Sequence, residues 1–159
     1  MEVALFEPRI PQNTGNIARS CAAFNIPLNL IEPLGFQLED KYLKRAGLDY
    51  WPLVNVNNYR NFDKFLSSKK TKRLISFSKK NGIYLKDFKF QDNDVLLFGR
   101  EDSGLPDSII DKSDFLISIF MPNLQAGGND QKGVRSLNLS VACGIAIYEA
   151  HKQLNFQKW

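Results

Sequence analysis

Short apolar runs that alternate with stretches of helical spacing constrain this chain more than any other feature of its sequence. Val3 to Phe6, Asn29 to Glu32, Arg73 to Phe77, Asp94 to Phe98 and Phe115 to Met121 each read as a strand. Asp94 to Phe98 is more apolar than Arg73 to Phe77, and Phe115 to Met121 reads as a strand buried on both faces. Between the first two lie the breakers Pro8 and Pro11, and then a helix with Asn13 and Thr14 as its caps that runs to about Phe24. Glu39 to Ala46 reads as a basic helix ended by Gly47, and Tyr59 to Ser67 carries Tyr59, Phe62, Phe65 and Leu66 at helical spacing. A short helix is predicted from Pro106, and a long one with a broad apolar face from Ser136 to Leu154. Such alternation predicts an α/β fold, a mostly parallel sheet with helices on both faces. At 159 residues and 43% hydrophobic, with no internal repeat or linker, the chain is expected to form one domain over 1–159.

Several function classes drop out early. The opening MEVALFEP has no signal-peptide pattern, and no run approaches the roughly 20 apolar residues of a membrane span, so a cytoplasmic protein without a membrane partner is expected. Cys21 and Cys143 each sit among apolar helical residues and read as core thiols. The lone histidine, His151, can build no His cluster for a metal, and no metal is expected. Its place near the end of the last helix makes it a surface residue rather than an acid or base catalyst. A net charge of +4 favours a polyanion, although a solvated basic surface accounts for it equally well. Clustering adds weight: Lys41, Lys44 and Arg45 stand together, as do Lys69, Lys70, Lys72, Arg73, Lys79 and Lys80.

Three polar segments follow apolar strands, where open α/β sheets bind their ligands. In Glu7 to Arg19 (EPRIPQNTGNIAR), Arg19 could fork onto a phosphate; an ordinary helix-surface arginine or a salt bridge to Glu7 is the plainer alternative. In Leu96 to Pro106 (LLFGREDSGLP), a glycine turn leaves room against bare backbone; alternatively Asp102 or Ser103 merely caps the next helix. In Gln125 to Ser140 (QAGGNDQKGVRSLNLS), a glycine-rich loop leads to Ser136, Asn138 and Ser140 at a helix start, where free N–H groups attract anions and Ser136 could serve as the cap. Neither GxGxxG nor GxxxxGK[ST] occurs. On their own, these segments imply a ligand pocket at one end of a sheet.

Taken in order, the same three segments resemble the signature motifs of the SpoU-type branch of the SPOUT methyltransferases. Two further stretches, IEPLGF at Ile31 to Phe36 and KRAGLDYW at Lys44 to Trp51, look like those of the short tRNA (cytidine/uridine-34-2′-O)-methyltransferases. The resemblance covers nearly the whole chain. It implies S-adenosylmethionine-dependent methylation of a ribose 2′-hydroxyl in tRNA at wobble nucleotide 34, with S-adenosylhomocysteine as product. It also implies a C-terminal deep trefoil knot over about 75–154, despite the general rarity of knots, and a homodimer packed through the knotted region with Tyr148 in the contact.

Carried over motif by motif, the resemblance lines the cofactor pocket with Phe77, Gly99, Glu101, Gly104, Met121, Ser136 and Leu137. It makes Arg19 the residue that holds RNA phosphate and helps the 2′-hydroxyl lose its proton, with Asn13, Ser136 and Asn138 shaping the catalytic site. Lys41, Lys44 and Arg45 would join Arg19 in gripping RNA, and Lys69 to Lys80 could add to them. A 2′-hydroxyl acceptor excludes DNA. No extra RNA-binding domain accompanies the motifs, which favours tRNA over ribosomal RNA. The loop Asn123 to Val134 is longer than in the short enzymes, and Arg100 stands where they often have proline. Alternatives are a 2′-O-methyltransferase acting elsewhere on tRNA or on ribosomal RNA, or a non-catalytic RNA-binding module of the same fold.

Overall fold

Apolar residues that alternate along each run point to both faces of one sheet, and the computed structural model describes that sheet through residues 1–37, 50–79, 81–123 and 133–155. The described strands are β1 (Glu2–Phe6), β2 (Leu28–Ile31), β3 (Val56–Tyr59), β4 (Leu74–Phe77), β5 (Ile83–Tyr84), β6 (Val95–Phe98) and β7 (Phe115–Ser118). They form a seven-stranded sheet in the order β3-β2-β1-β6-β4-β7-β5, and every pairing is parallel. The helices are α1 (Pro11–Ala23), α2 (Phe62–Ser68), α3 (Asp107–Ile110) and α4 (Leu139–Asn155).

Val3, Leu5, Leu28, Leu30, Ile75, Leu96 and Phe98 face one side and pack with Ile17, Ala18 and Cys21 of α1 and Cys143, Ala146, Ile147 and Ala150 of α4. Ala4, Phe6, Leu74, Val95 and Leu97 face the other side and pack with Phe62 and Phe65 of α2 and Ile109 of α3. This period-two division is what a sheet buried on both faces requires. Helices therefore cover both faces, as expected.

The element boundaries depart from expectation where local chemistry decides them. Helix α1 starts at Pro11, whose missing N–H costs nothing in a first turn, so Asn13 and Thr14 are buried within the helix instead of capping it. It stops at Phe24 because Asn25 turns left-handed, with φ 51°. Tyr59 ends β3, and α2 begins later, where the Asn61 side chain accepts from the Lys64 N–H at 2.9 Å. The predicted basic helix Glu39 to Ala46 lies outside the described residues. Among the described residues, no helix is long and apolar enough to cross a membrane.

Within the basic stretch, Lys69, Lys72 and Arg73 are engaged by the fold. Lys69 and Lys72 both pair with the Glu2 carboxylate, and Arg73 forms two hydrogen bonds to Asp94 at 2.7 and 2.8 Å. These pairs flank the N-terminal ends of β1, β4 and β6, the end opposite to the polar segments. Burial works against the Glu2 carboxylate, but hydrogen bonds from Lys69, Lys72 and Asn29 outweigh it and hold its pKa at about 2. Lys69, Lys72 and Arg73, offered above for gripping RNA, thus each make an ion pair within the fold, the two lysines sharing one carboxylate.

Candidate active site

In a parallel sheet all strand C-termini emerge at one edge, and there the three polar segments meet. Segment one leaves β1, segment two leaves β6, its sheet neighbour, and segment three leads into α4, which packs against α1. The join is a chain of side-chain hydrogen bonds. Glu101 accepts from the backbone N–H groups of Arg9 at 2.8 Å and Ile10 at 3.1 Å, and from Asn13 Nδ2 at 3.2 Å. The Asn13 carbonyl accepts from Asn138 Nδ2 at 2.9 Å. Asn138 Oδ1 in turn accepts from the N–H groups of Ser140 at 2.9 Å and Val141 at 3.4 Å.

That last pair of bonds makes Asn138, the residue before α4, the cap of that helix. The expectation that Ser136 caps it is corrected: Ser136 lies exposed ahead of the helix, its hydroxyl left for another role. Asn13, Glu101 and Asn138 are thus brought together, and the bond from Asn138 to Asn13 spans 125 positions of sequence.

Segment two folds back on itself. Arg100 and Gly104 exchange backbone hydrogen bonds at 3.1 and 2.9 Å, and Gly104 takes φ 73°, a conformation that suits glycine. A Cβ on Gly99 would collide with the backbone of Gly104 and Leu105, so the bare Cα of Gly99 serves this reversal. Neither Asp102 nor Ser103 caps α3, whose first turn follows Pro106. Asp102 instead takes two bonds from Arg100, at 2.9 and 2.7 Å, and these hold its carboxyl below the usual carboxylate range. Arg100 also lies 3.5 Å from Glu7, so the residue standing where proline is common ties segment two to segment one.

Arg19 does not pair with Glu7, which is engaged by Arg9 at 3.4 Å and by Arg100. Arg19 stays exposed on α1, with its guanidinium carbon 4.6 Å from the centre of the Tyr50 ring and Nη2 3.3 Å from the Tyr50 hydroxyl. The sequence pattern gives Tyr50, within KRAGLDYW, no role of its own. Nor does it single out Gly35 of IEPLGF, yet a Cβ there would come within 2.9 Å of Arg9, so this segment seats directly on segment one.

The remaining cofactor candidates fall around the same edge. Phe77 ends β4, with its ring buried and stacked on Phe98 at 4.5 Å, so only its backbone is left for a ligand. Met121 and Leu137 are half-buried. Lys41, Lys44 and Arg45, and most of the loop Asn123 to Val134, lie outside the described residues. Burial pushes the Cys21 thiol up to about 12 and raises Cys143 too, so both are inert core groups. His151 meets the Phe24 ring edge-on at 5.0 Å, between α4 and the end of α1.

The SpoU rRNA Methylase family matches residues 1–148. The chain belongs to that family. The tRNA (cytidine(34)-2′-O)-methyltransferase of Saccharophagus degradans is 42% identical over 154 residues, which span 97% of this chain and 96% of that protein. A solved structure concerned with the 2-OH methylation of C/U34 on tRNA aligns with a TM-score of 0.88 at 44% identity, over 98% of this chain and 96% of that one. The AdoMet-bound rRNA methyltransferase from Sinorhizobium meliloti aligns with a TM-score of 0.80 at 25% identity, over 96% of this chain and 56% of that one.

For a SpoU-family chain this geometry is economical in charge. The side chains that join the loops are amides, the Glu101 carboxylate and the Arg100–Glu7 ion pair, all with their bonds already made, while Arg19 keeps its charge facing solvent. Such an arrangement can orient a neutral hydroxyl and stabilise the negative charge that develops as it loses its proton.

Proposed function

We propose that this protein transfers the methyl group of S-adenosylmethionine to the ribose 2′-hydroxyl of nucleotide 34 in tRNA. The hydrogen-bond chain Glu101–Asn13–Asn138 carries the proposal, because it fastens all three polar segments around one edge of the sheet. The full-length likeness to the Saccharophagus enzyme supports the choice of tRNA and of position 34.

The residues present suit the cofactor. Strands β6, β4 and β7 are consecutive neighbours in the sheet, so the backbone after Phe98, Phe77 and Ser118 forms a continuous floor. Phe77, Gly99, Glu101, Gly104, Met121, Ser136 and Leu137 would hold S-adenosylmethionine there, mostly through backbone groups and apolar contact. When bound, the cofactor supplies an electrophilic methyl on a sulfonium, and S-adenosylhomocysteine leaves as product. Glu101 acts by fixing the β1–α1 loop, since its oxygens already accept from Arg9, Ile10 and Asn13. Asn13, Ser136 and Asn138 orient the ribose. Arg19, with Lys41, Lys44 and Arg45, attracts the phosphate backbone and favours loss of the 2′-proton, a role that needs no histidine.

The C-terminal region over about 75–154 is proposed to form the family's trefoil knot within a single domain, and two chains to pair through it. Val141, Ile145 and Tyr148 fall on one face of α4, at 50%, 39% and 62% exposure, and this unpartnered apolar stripe supports the dimer. The cytoplasm, where tRNA is modified, is the proposed location.

Labelled S-adenosylmethionine and total tRNA lacking its native 2′-O-methyl groups provide the test, with mass-spectrometric mapping and Arg19→Ala run alongside. Label at ribose 34 that collapses in the variant is expected. Label at another nucleotide, or none with the cofactor bound, refutes the proposal.

A further inference from the structure

Arg19 is exposed on the solvent face of α1, in line with the exposed Gln12 and Asn16. A free arginine at such a place samples many rotamers and holds no fixed direction. Tyr50, by contrast, is well anchored. Its carbonyl accepts the Leu53 N–H at 2.8 Å, closing the 3-10 turn Trp51–Leu53, and Trp51 packs into the core beside α1. With the Tyr50 backbone held there, its ring lies 4.6 Å from the Arg19 guanidinium carbon, and its hydroxyl accepts one N–H at 3.3 Å.

We propose that Tyr50 is a positioning residue for the methyl transfer, holding the Arg19 guanidinium in one plane with most of its donors turned to solvent. The role rests on the 2′-O-methyltransferase function proposed above and adds a residue which that function leaves out. The chemistry of the holder matters. A carboxylate would fix Arg19 equally well but would cancel its charge, and Glu7, the one carboxylate of the same segment, is taken by Arg9 and Arg100. An aromatic face holds a cation without neutralising it, so the full charge stays available to a phosphate or a developing alkoxide. The single bond to the hydroxyl uses one of the five guanidinium donors, leaving edges free for bidentate contact.

The experiment compares Tyr50→Phe and Tyr50→Leu with the wild-type protein, measuring kcat and KM for tRNA, melting temperature, and the NMR resonance of the Arg19 Nε–H. Tyr50→Phe keeps the stack and is expected to retain most of kcat and the ring-current shift of the Arg19 resonance. Tyr50→Leu is expected to lose the shift and to lower kcat roughly two- to fivefold, the scale of an exposed cation–π contact. Its KM and melting temperature should stay close to wild type. Wild-type kcat in Tyr50→Leu, or a loss of kcat with an unmoved Arg19 resonance, overturns the role. A wild-type protein that methylates no tRNA overturns the activity instead, and the resonance then still decides whether Tyr50 orders Arg19.

Discussion

Replacing Glu101 by alanine should loosen the site and the fold together, and the size of the effect follows from its bonds. The carboxylate accepts from two backbone N–H groups, at 2.8 and 3.1 Å, and from Asn13 at 3.2 Å. Hydrogen bonds to a charged group contribute about 1.5–3 kcal/mol each when buried, but Glu101 is half-exposed and the three share one anchor, so roughly 2–4 kcal/mol in total is the appropriate scale. For a domain of this size that is a fall in melting temperature of about 5–15 °C. Glu101→Gln should lose less, about 1–2 kcal/mol, because its amide keeps one acceptor oxygen while its NH2 faces donors.

Activity should fall further than stability. Without Glu101, the Asn13 side-chain NH2 has no partner to fix it, and the carbonyl it aims at Asn138 loses its orientation. The assay pairs thermal unfolding with methyl transfer at a temperature where the variant is folded, and adds cofactor titration. If Glu101→Ala melts within about 1 °C of wild type and only its cofactor affinity drops, the carboxylate serves the cofactor and its role in fixing the loop is wrong.

Other consequences can be measured separately. The Glu2 pKa is depressed from 4.5 to about 2, so its stabilisation is complete above pH 4.5 and is lost as pH falls toward 2. Glu2→Gln should therefore cost about 2–3 kcal/mol at neutral pH in urea unfolding, with the difference from wild type vanishing near pH 2; a constant difference across that range contradicts the ion-pair account. Asn138→Ala should cost about 1 kcal/mol by removing the cap of α4, whereas Ser136→Ala should shift stability by less than about 0.5 kcal/mol; equal effects on unfolding would return the cap to Ser136. Tyr148→Asp places a charge on the apolar stripe of α4 and should shift the protein to monomer in sedimentation; an unchanged sedimentation coefficient removes that stripe from any dimer contact.

Most of the architecture was legible because it is written as local apolar patterning. Val95, Leu96, Leu97 and Phe98 bury both faces of β6, and a run like that belongs inside a parallel sheet. Strand β3 was not legible: Val56, Asn57, Asn58 and Tyr59 are polar or half-buried, an edge strand held by pairing with β2 alone. Strand β5 is only two exposed residues, Ile83 and Tyr84, and no pattern distinguishes them from loop. At the site, motif positions could be named but their partners could not, since Glu101 and Asn13 stand 88 residues apart and meet only once the sheet forms. The choice of Asn138 over Ser136 as cap was hidden for the same reason. Both residue types cap helices well, and the contact with Asn13 favours one.

The direction of the strands separates what stabilises this protein from what it does. At the N-terminal edge the polar groups are charged and paired: Glu2 with Lys69 and Lys72, Arg73 with Asp94, and Asp114 accepting the Leu74 N–H at 2.6 Å. These contacts close off strand ends. At the C-terminal edge the connections combine amides and backbone with the ion pairs of Glu7 and Asp102 to Arg9 and Arg100, and Arg19 is held by an aromatic ring rather than by an acid. A polyanionic substrate approaching such a molecule finds its matching charge at that edge, although basic residues are spread along the whole chain. Net charge alone could not have located the site. Which cations are already spent decides where RNA can bind, and that depends on partners such as Glu2 and Asp94, whose side chains face away from the chemistry altogether.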